Sequence, residues 1–155
     1  MLDLYEELTS VVQKLNEARI DYALCGRLAL ALFGIPRATV DTDILIRRES
    51  LERARELAHG CGYIMRAKPM AFAGGAVEIR RVSKKDEETG DRLPLDFLVV
   101  TPPLQKVWDT RREVEWEGGS LRAVSREGLI FLKTLRGSGR DLDDIRRLEA
   151  SSDEG

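Results

Sequence analysis

Two aspartates separated by one residue are the strongest chemical signal in the sequence. Asp41 and Asp43 lie in the stretch 40–46, VDTDILI, whose remaining residues are mostly apolar. Alternate side chains of a strand point to the same face, so the two carboxylates should lie about 7 Å apart along one face. Like charges this close raise each other's pKa unless a cation lies between them, and hard divalent cations prefer oxygen ligands. The pair therefore predicts a magnesium site.

A third carboxylate stands inside an apolar run further along the chain. The segment 93–100, LPLDFLVV, has the pattern of a central strand apart from Pro94 and Asp96. An unpaired buried charge is costly, so Asp96 must be neutralised, paired or bound to a metal. Two interpretations remain open: Asp96 joins the other two aspartates in one site, or it forms a structural ion pair with a nearby arginine.

The segment before the Asp-x-Asp pattern should form a strand, a tight turn and a short helix. Apolar residues at 22–25 end at Gly26, which allows the backbone to turn sharply. Helix formers follow at 28–33, and Gly34 and Pro36 end that helix. Backbone amides at such a turn could hold phosphate. A lone glycine turn before a helix is common, so this signal becomes specific only together with the two aspartates.

These features together resemble the nucleotidyltransferase superfamily, which includes DNA polymerase beta, kanamycin nucleotidyltransferase and the small bacterial MNT and AbiEii-type proteins. Members carry a Gly-Gly or Gly-Ser pair after a strand and an Asp-x-Asp pattern on the next strand. Here the pair is Gly26-Arg27, and its spacing to Asp41 and Asp43 is closer to AbiEii-type toxins than to MNT antitoxins. Arg27 replaces a small residue and could either pair with a triphosphate or fill its place.

The resemblance implies metal-dependent transfer of a nucleoside monophosphate from a nucleoside triphosphate to a hydroxyl acceptor, an RNA or a protein. Two Mg²⁺ ions would be held by the catalytic residues Asp41, Asp43 and Asp96, and the last of these would help to deprotonate the acceptor hydroxyl. The nucleotide would contact Gly26, Arg27 and Lys133. The alternative is a degenerate, non-catalytic member that binds a nucleotide or a cognate partner protein, for example in a toxin–antitoxin pair.

Two C-terminal helices extend the resemblance. Apolar residues at helical spacing predict a first helix from Ser125 that ends at the glycines of 137–139, and a second helix that begins near Asp141. AbiEii-type proteins carry a lysine on the first helix and an Arg-Asp-x-x-Asp pattern on the second. The matching residues here are Lys133, Arg140, Asp141 and Asp144. A surface lysine and a helix cap are an equally simple interpretation of these residues.

The remaining pattern predicts an α/β fold, a small mixed β-sheet flanked by helices, with the two C-terminal helices beside the cleft. Amphipathic helices are expected at 3–18 and 50–59, the second capped by Ser50, with a short strand at 63–65, hairpins at 70–82 and 112–124 and a polar loop at 83–92. We expect a single nucleotidyltransferase-like domain over residues 1–150 and a disordered tail at 151–155.

Composition narrows the classes of protein. The chain has 155 residues, 43% hydrophobic and 34% charged, which is typical of one soluble globular domain. A formal net charge of −2 gives no support for tight non-specific binding of nucleic acid. Two cysteines and one histidine, without metal-ligand spacing, do not indicate zinc or a disulfide framework. The acidic N-terminal segment and the lack of a long apolar run favour a cytoplasmic protein without a membrane segment.

Overall fold

The computed structural model describes residues 2–35, 39, 41–116, 119–137 and 139–150, apart from the side chains of 139 and 140. The helices and strands of these residues are, in chain order, α1 (Leu4–Glu17), β1 (Ala23–Cys25), α2 (Gly26–Leu32), β2 (Thr42–Ile46), α3 (Arg48–Gly60), β3 (Met65–Arg66), β4 (Met70–Phe72), β5 (Val77–Lys85), β6 (Arg92–Val99), α4 (Gln105–Asp109), β7 (Arg112–Trp116), β8 (Gly119–Ala123), α5 (Arg126–Arg136) and α6 (Gly139–Ala150). Single 3-10 turns lie at Ala73–Gly75 and Pro102–Leu104.

The described strands form one mixed sheet in the order β3-β5-β6-β2-β1-β8-β7, with β4 paired to β5. The central strand β2 runs parallel to β6 and antiparallel to β1, while β5 and β6 form a long antiparallel pair. The predicted α/β fold with a mixed sheet flanked by helices is therefore confirmed. Strands β1, β2 and β6, which correspond to the strands predicted at 22–25, 40–46 and 93–100, lie side by side in this sheet.

The register of β2 against β6 pairs the acidic residues of the two strands. Asp43 lies opposite Asp96, and the next pair is Ile44 with Phe97, both fully buried. Because successive side chains alternate between faces, the apolar pair enters the core and the acidic pair faces the other side of the sheet. A slip of β2 by one residue would turn Asp43 towards the core, so this register is favoured.

Several predicted element boundaries are wrong in informative ways. Helix α3 begins at Arg48, directly after β2, so Ser50 lies within its first turn and is not its cap. Strand β5 runs to Lys85 because its pairing with β6 continues to Arg92, which shortens the predicted polar loop. The short strand expected at 63–65 begins only at Met65, where pairing with β5 becomes possible.

Some predictions fall on residues outside the described part of the chain. These are the helix-ending role of Pro36, the strand position of Val40 and the turn of the predicted hairpin at 112–124. They also include residue 138 between the two C-terminal helices, the side chain of Arg140 and the tail at 151–155. Within the described part, none of the helices is both long enough and apolar enough to cross a bilayer.

Charged residues attach α6 to α5. The Lys133 ammonium on α5 lies 3.2 Å from an Asp144 carboxylate oxygen and 3.6 Å from one of Asp141. Arg136 Nε lies 3.5 Å from the other oxygen of Asp141. Lys133 and both aspartates are at most 5% exposed, so the two ion pairs of Lys133 are shielded from solvent, whereas the Arg136 side chain is 71% exposed. The two helices therefore depend on each other for charge compensation.

Replacing Asp144 by alanine should strongly destabilise the protein. The change leaves the buried Lys133 with less compensating charge, a situation that costs about 3–5 kcal/mol when a buried pair is broken from one side. Asp143→Ala is the matched control, since Asp143 lies one position earlier on α6 and is half-exposed beside Arg147. We expect urea unfolding to show a large loss for Asp144→Ala and less than about 1 kcal/mol for the control. Equal losses would contradict the role of the buried pair.

Candidate active site

A cleft of about 370 Å³ lies over the face of the sheet that carries the paired aspartates. Its charged and polar lining consists of Arg27, Thr39, Asp41, Asp43, Arg81, Asp96, Lys133, Arg136 and Asp141. Its apolar lining includes Met70, Phe72, Val77, Ile79 and Leu98 from the sheet and Leu129, Leu132 and Leu135 from α5. The cleft thus has an acidic floor on β2 and β6, basic residues on several elements, and an apolar wall over β4 and β5.

The structure brings together all three aspartates singled out by the sequence. Asp43 and Asp96 are direct partners on parallel strands, so their side chains lie on one face of the sheet. Asp41 precedes β2 by one residue and lines the same cleft. Its backbone N–H donates to the Thr39 hydroxyl oxygen at 3.0 Å, which fixes the chain as it enters the strand.

Clustering of the carboxylates changes the proton affinity of Asp43. Although solvent reaches part of this residue, neighbouring groups displace most of the water around its carboxyl. This desolvation, together with the charges of Asp96 and Asp41, raises the pKa of Asp43 from 3.8 to about 7. Arg136 and Lys133 act in the opposite direction without cancelling the shift. Burial and the neighbouring carboxylates thus disfavour the ionised form of Asp43.

Asp96 satisfies both interpretations that the sequence left open. It lies in the cleft beside Asp43, and it also forms an ion pair with Arg81, its cross-strand partner on β5. Arg81 Nε donates to Asp96 Oδ1 at 2.7 Å and Nη2 donates to Oδ2 at 2.9 Å. Asp96 is 4% exposed, so this pairing supplies the neutralisation that a carboxylate in an apolar strand requires.

The predicted nucleotide-binding residues lie at two edges of the cleft. Gly26 and Arg27 begin α2 and line the cleft next to Asp43. Lys133 also lines it, from α5. The interpretation of Lys133 as a surface lysine is wrong, because it is 5% exposed and paired with two aspartates of α6.

Gly26 is required by the close approach of β2. Its φ is +69°, in the left-handed region that side chains rarely adopt. A Cβ placed here would lie 2.1 Å from Asp43 Oδ2, well inside van der Waals contact. The missing side chain therefore allows the Asp43 carboxylate to sit directly beneath the turn between β1 and α2.

Some of the carboxylate oxygens in the cleft suit a hard divalent cation, and others are already bonded within the protein. Asp41 and Asp43 offer carboxylate oxygens, and a cation beside them would favour the ionised form of Asp43, whose pKa is raised by desolvation and by the charges of Asp96 and Asp41. Both oxygens of Asp96, in contrast, already accept hydrogen bonds from Arg81. No three metal-ligating side chains among the described residues are grouped closely enough to hold an ion as they stand. Asp41 and Asp43 are thus the residues that would hold Mg²⁺.

Sequence reasoning missed the cations of the cleft other than Arg27 and Lys133. Arg81 belongs to an alternating strand in which Val77, Ile79 and Arg81 share a face, and that parity is visible in the sequence. The cross-strand partner of Arg81 depends on the β5–β6 register, which no local pattern specifies. Arg136 resembles any basic residue in the last turn of a helix.

Comparison with known proteins finds solved structures with a similar fold. No protein-family model matches the sequence, and no curated protein matches it. Among solved structures, an antigenic nucleotidyltransferase-like protein from Paracoccidioides brasiliensis is 23% identical with a TM-score of 0.57, the match covering 94% of this chain and 75% of that one. The lincomycin-bound lincosamide antibiotic adenylyltransferase LnuA is 16% identical with a TM-score of 0.62, covering 94% and 96%. ANT(2")-Ia with adenylyl-2"-tobramycin is 12% identical with a TM-score of 0.63, covering 93% and 86%.

At these identities the likeness concerns the fold. The resemblance to nucleotidyltransferases, proposed from the Gly26-Arg27 turn and the Asp-x-Asp pattern, is confirmed at that level. The chain has a nucleotidyltransferase fold over nearly its whole length.

Replacing Gly26 by alanine should disrupt the site beyond the cost of backbone strain. Gly34→Ala is the matched control, because Gly34 has a φ of +78° but nothing lies within 4 Å of its Cβ position. Both variants carry a strain of about 1 kcal/mol or slightly more. Only Gly26→Ala also forces Asp43 to move. We expect thermal unfolding to show a clearly larger loss of stability for Gly26→Ala, and equal losses would contradict the close approach.

Asp43 should make the metal-free protein less stable as the pH rises. The folded state binds this proton more tightly than the unfolded chain, so the group's favourable contribution is complete below pH 3.8 and is lost as the pH approaches about 7. Asp43→Asn should therefore gain stability over the wild type at about pH 8, by a few kcal/mol at most, and little at about pH 4. Denaturant unfolding with a chelator present measures the difference, with Asp91→Asn as an exposed control. A constant difference across this range would contradict the predicted shift.

Proposed function

We propose that the protein transfers a nucleoside monophosphate from a nucleoside triphosphate to a hydroxyl acceptor on an RNA or a protein, with Mg²⁺ as cofactor. The observation that carries this proposal is the placement of Asp43 opposite Asp96, with Asp41 two residues away, in one cleft of a nucleotidyltransferase fold. The cleft opens beside the Gly26-Arg27 turn, which corresponds to the glycine pair of the resembling proteins. Acidic floor, turn and fold all support the same reaction.

In this proposal Asp41 and Asp43 hold the metal. Bound Mg²⁺ supplies a Lewis acid that neutralises phosphate oxygens and orients the triphosphate. The residues of the chain do the rest of the positioning. Cation binding also relieves the repulsion that raises the pKa of Asp43, so the metal and the acidic pair stabilise each other.

The basic residues that line the cleft suit the phosphate chain of a nucleotide. Arg27 lies next to the turn, and Lys133 and Arg136 lie close enough to Asp43 to act on its pKa. Lys133 is held by Asp141 and Asp144 in a buried position, whereas Arg136 contacts Asp141 from a largely exposed side chain. Gly26 has no side chain, and the Asp43 carboxylate occupies the space that one would take, so this carboxylate lies directly beside the turn.

Asp96 is the proposed proton acceptor for the attacking hydroxyl. Each of its oxygens keeps a lone pair besides the one that accepts from Arg81. The acceptor O–H bond would break towards Asp96 while the oxygen forms a bond to the α-phosphorus. The bond from that phosphorus to the bridging oxygen then breaks, and pyrophosphate leaves with the electron pair.

The direct test is incubation of the purified protein with each α-labelled nucleoside triphosphate, Mg²⁺, and cellular RNA or protein. Label appearing in a macromolecule, together with released pyrophosphate, would support the proposal and identify the acceptor. Nucleotide binding without transfer to either acceptor class would instead support the degenerate binding protein. Binding of a cognate partner protein, including an antitoxin, would then be the remaining function to examine.

Transfer should depend on all three aspartates. Asp41→Asn, Asp43→Asn and Asp96→Asn keep the shape of the side chain but remove its charge, so each should reduce the rate by about 100-fold or more. Asp91→Asn, on the exposed loop before β6, is the matched control and should keep full activity. Single-turnover transfer of the label measures the effect, and circular dichroism checks that each variant is folded. Full activity in any of the three variants would exclude that residue from the mechanism.

A further inference from the structure

We infer that Arg81 is a built-in cation of the cleft that keeps Asp96 in a closed ion pair, so that a divalent cation is held by Asp41 and Asp43 without Asp96. The inference rests on the proposed function and specifies how its metal is bound. It departs from the arrangement of three carboxylates around two metal ions that the resemblance implied.

The geometry of the ion pair supports a closed state. Two parallel hydrogen bonds of 2.7 and 2.9 Å join the guanidinium to both carboxylate oxygens, which is the strongest form of this interaction. The backbones of the two residues are also cross-strand partners in the β5–β6 ladder. The two residues are therefore held together in two ways, by the hydrogen bonds between their side chains and by the pairing of their strands.

Burial makes the pair costly to open. Only 6% of the Asp96 side chain is exposed, compared with 37% of the Arg81 side chain. If Arg81 swung into solvent, Asp96 would remain as a buried charge beside Asp43, its neighbour on β2. Breaking such a pair from one side costs several-fold more than the pair itself contributes, so Asp96 stays with Arg81 in the absence of another cation.

The balance of charge points to one protein-bound metal ion. Arg81 neutralises Asp96, and it also interacts electrostatically with Asp41 and Asp43. Asp41 and Asp43 are the two aspartates of the three that Arg81 does not bind, and once both are ionised their charge matches that of a single divalent cation. Arg81 thus supplies at Asp96 the positive charge that a second cation would otherwise supply.

Metal binding to the nucleotide-free protein tests the inference without any transfer reaction. Isothermal titration with Mn²⁺ would compare the wild type with Arg81→Gln/Asp96→Asn, which removes the pair but keeps the net charge. We expect the double variant to bind Mn²⁺ within about threefold of the wild type, and Asp43→Asn to bind at least about tenfold more weakly. Arg66→Gln/Glu52→Gln, which removes a surface pair away from the cleft, is the matched control. A tenfold loss in the folded Arg81→Gln/Asp96→Asn variant would make Asp96 a ligand and overturn the inference.

Arg81→Gln alone should increase Mn²⁺ affinity by about tenfold or more, because it releases the third carboxylate. Unchanged affinity would show that Arg81 does not neutralise Asp96, and would also overturn the inference.

A measurement on the wild type covers the case in which the variants fail to fold. Addition of Mg²⁺ should shift the NMR resonances of the Asp41 and Asp43 Cγ atoms and leave that of Asp96 almost unchanged. An equal shift at Asp96 would contradict the closed pair. Since neither measurement involves a nucleotide, failure of this inference and failure of the transfer assay are independent results.

Discussion

Repulsion between like charges is the constraint on which this structure depends. The parallel pairing of β2 with β6 places Asp43 directly beside Asp96, and the alternation of the chain adds Asp41 to the same face. The next pair, Ile44 with Phe97, is fully buried on the opposite face, where a carboxylate would be costly. The fold therefore creates a concentration of negative charge as a direct result of forming its core, and burial together with this charge raises the pKa of Asp43.

The negative charge of these carboxylates is compensated by residues on elements that are distant in sequence. The carboxylates of β2 and β6 face cations from β5 and α5, and the cations of α5 are in turn paired with Asp141 and Asp144 of α6. Each of these sets of charges is opposite in sign to the one before it. This arrangement explains how a chain of small net charge carries a strongly polarised cleft, and why helices α5 and α6 are as important to the cleft as the strands beneath it.

The parts of the site that could be predicted from the sequence were those that depend on residues close together in the chain. The Asp-x-Asp pattern, the turn glycine and the isolated acid in a core strand each carry their meaning within a few residues, and the structure brings them together. Arg81 could be assigned a face from strand parity, but its partner required the register of β5 against β6. Lys133 looks exposed in a helical pattern because its burial is caused by α6, whose docking angle is a tertiary property. Helix boundaries such as the start of α3 depend on where the preceding strand ends.

The long β5–β6 hairpin has a consequence for the order in which the protein folds. Arg81 and Asp96 are separated by 15 positions in sequence, and closing so short a loop costs little chain entropy. The contact between Asp43 and Asp96 joins much more distant segments, and such non-local pairing forms late in small mixed domains. We expect the hairpin to form with Asp96 already neutralised, so that β2 docks against a strand without net charge at that position. The same ion pair that shapes the finished cleft would then lower the kinetic barrier to assembling it.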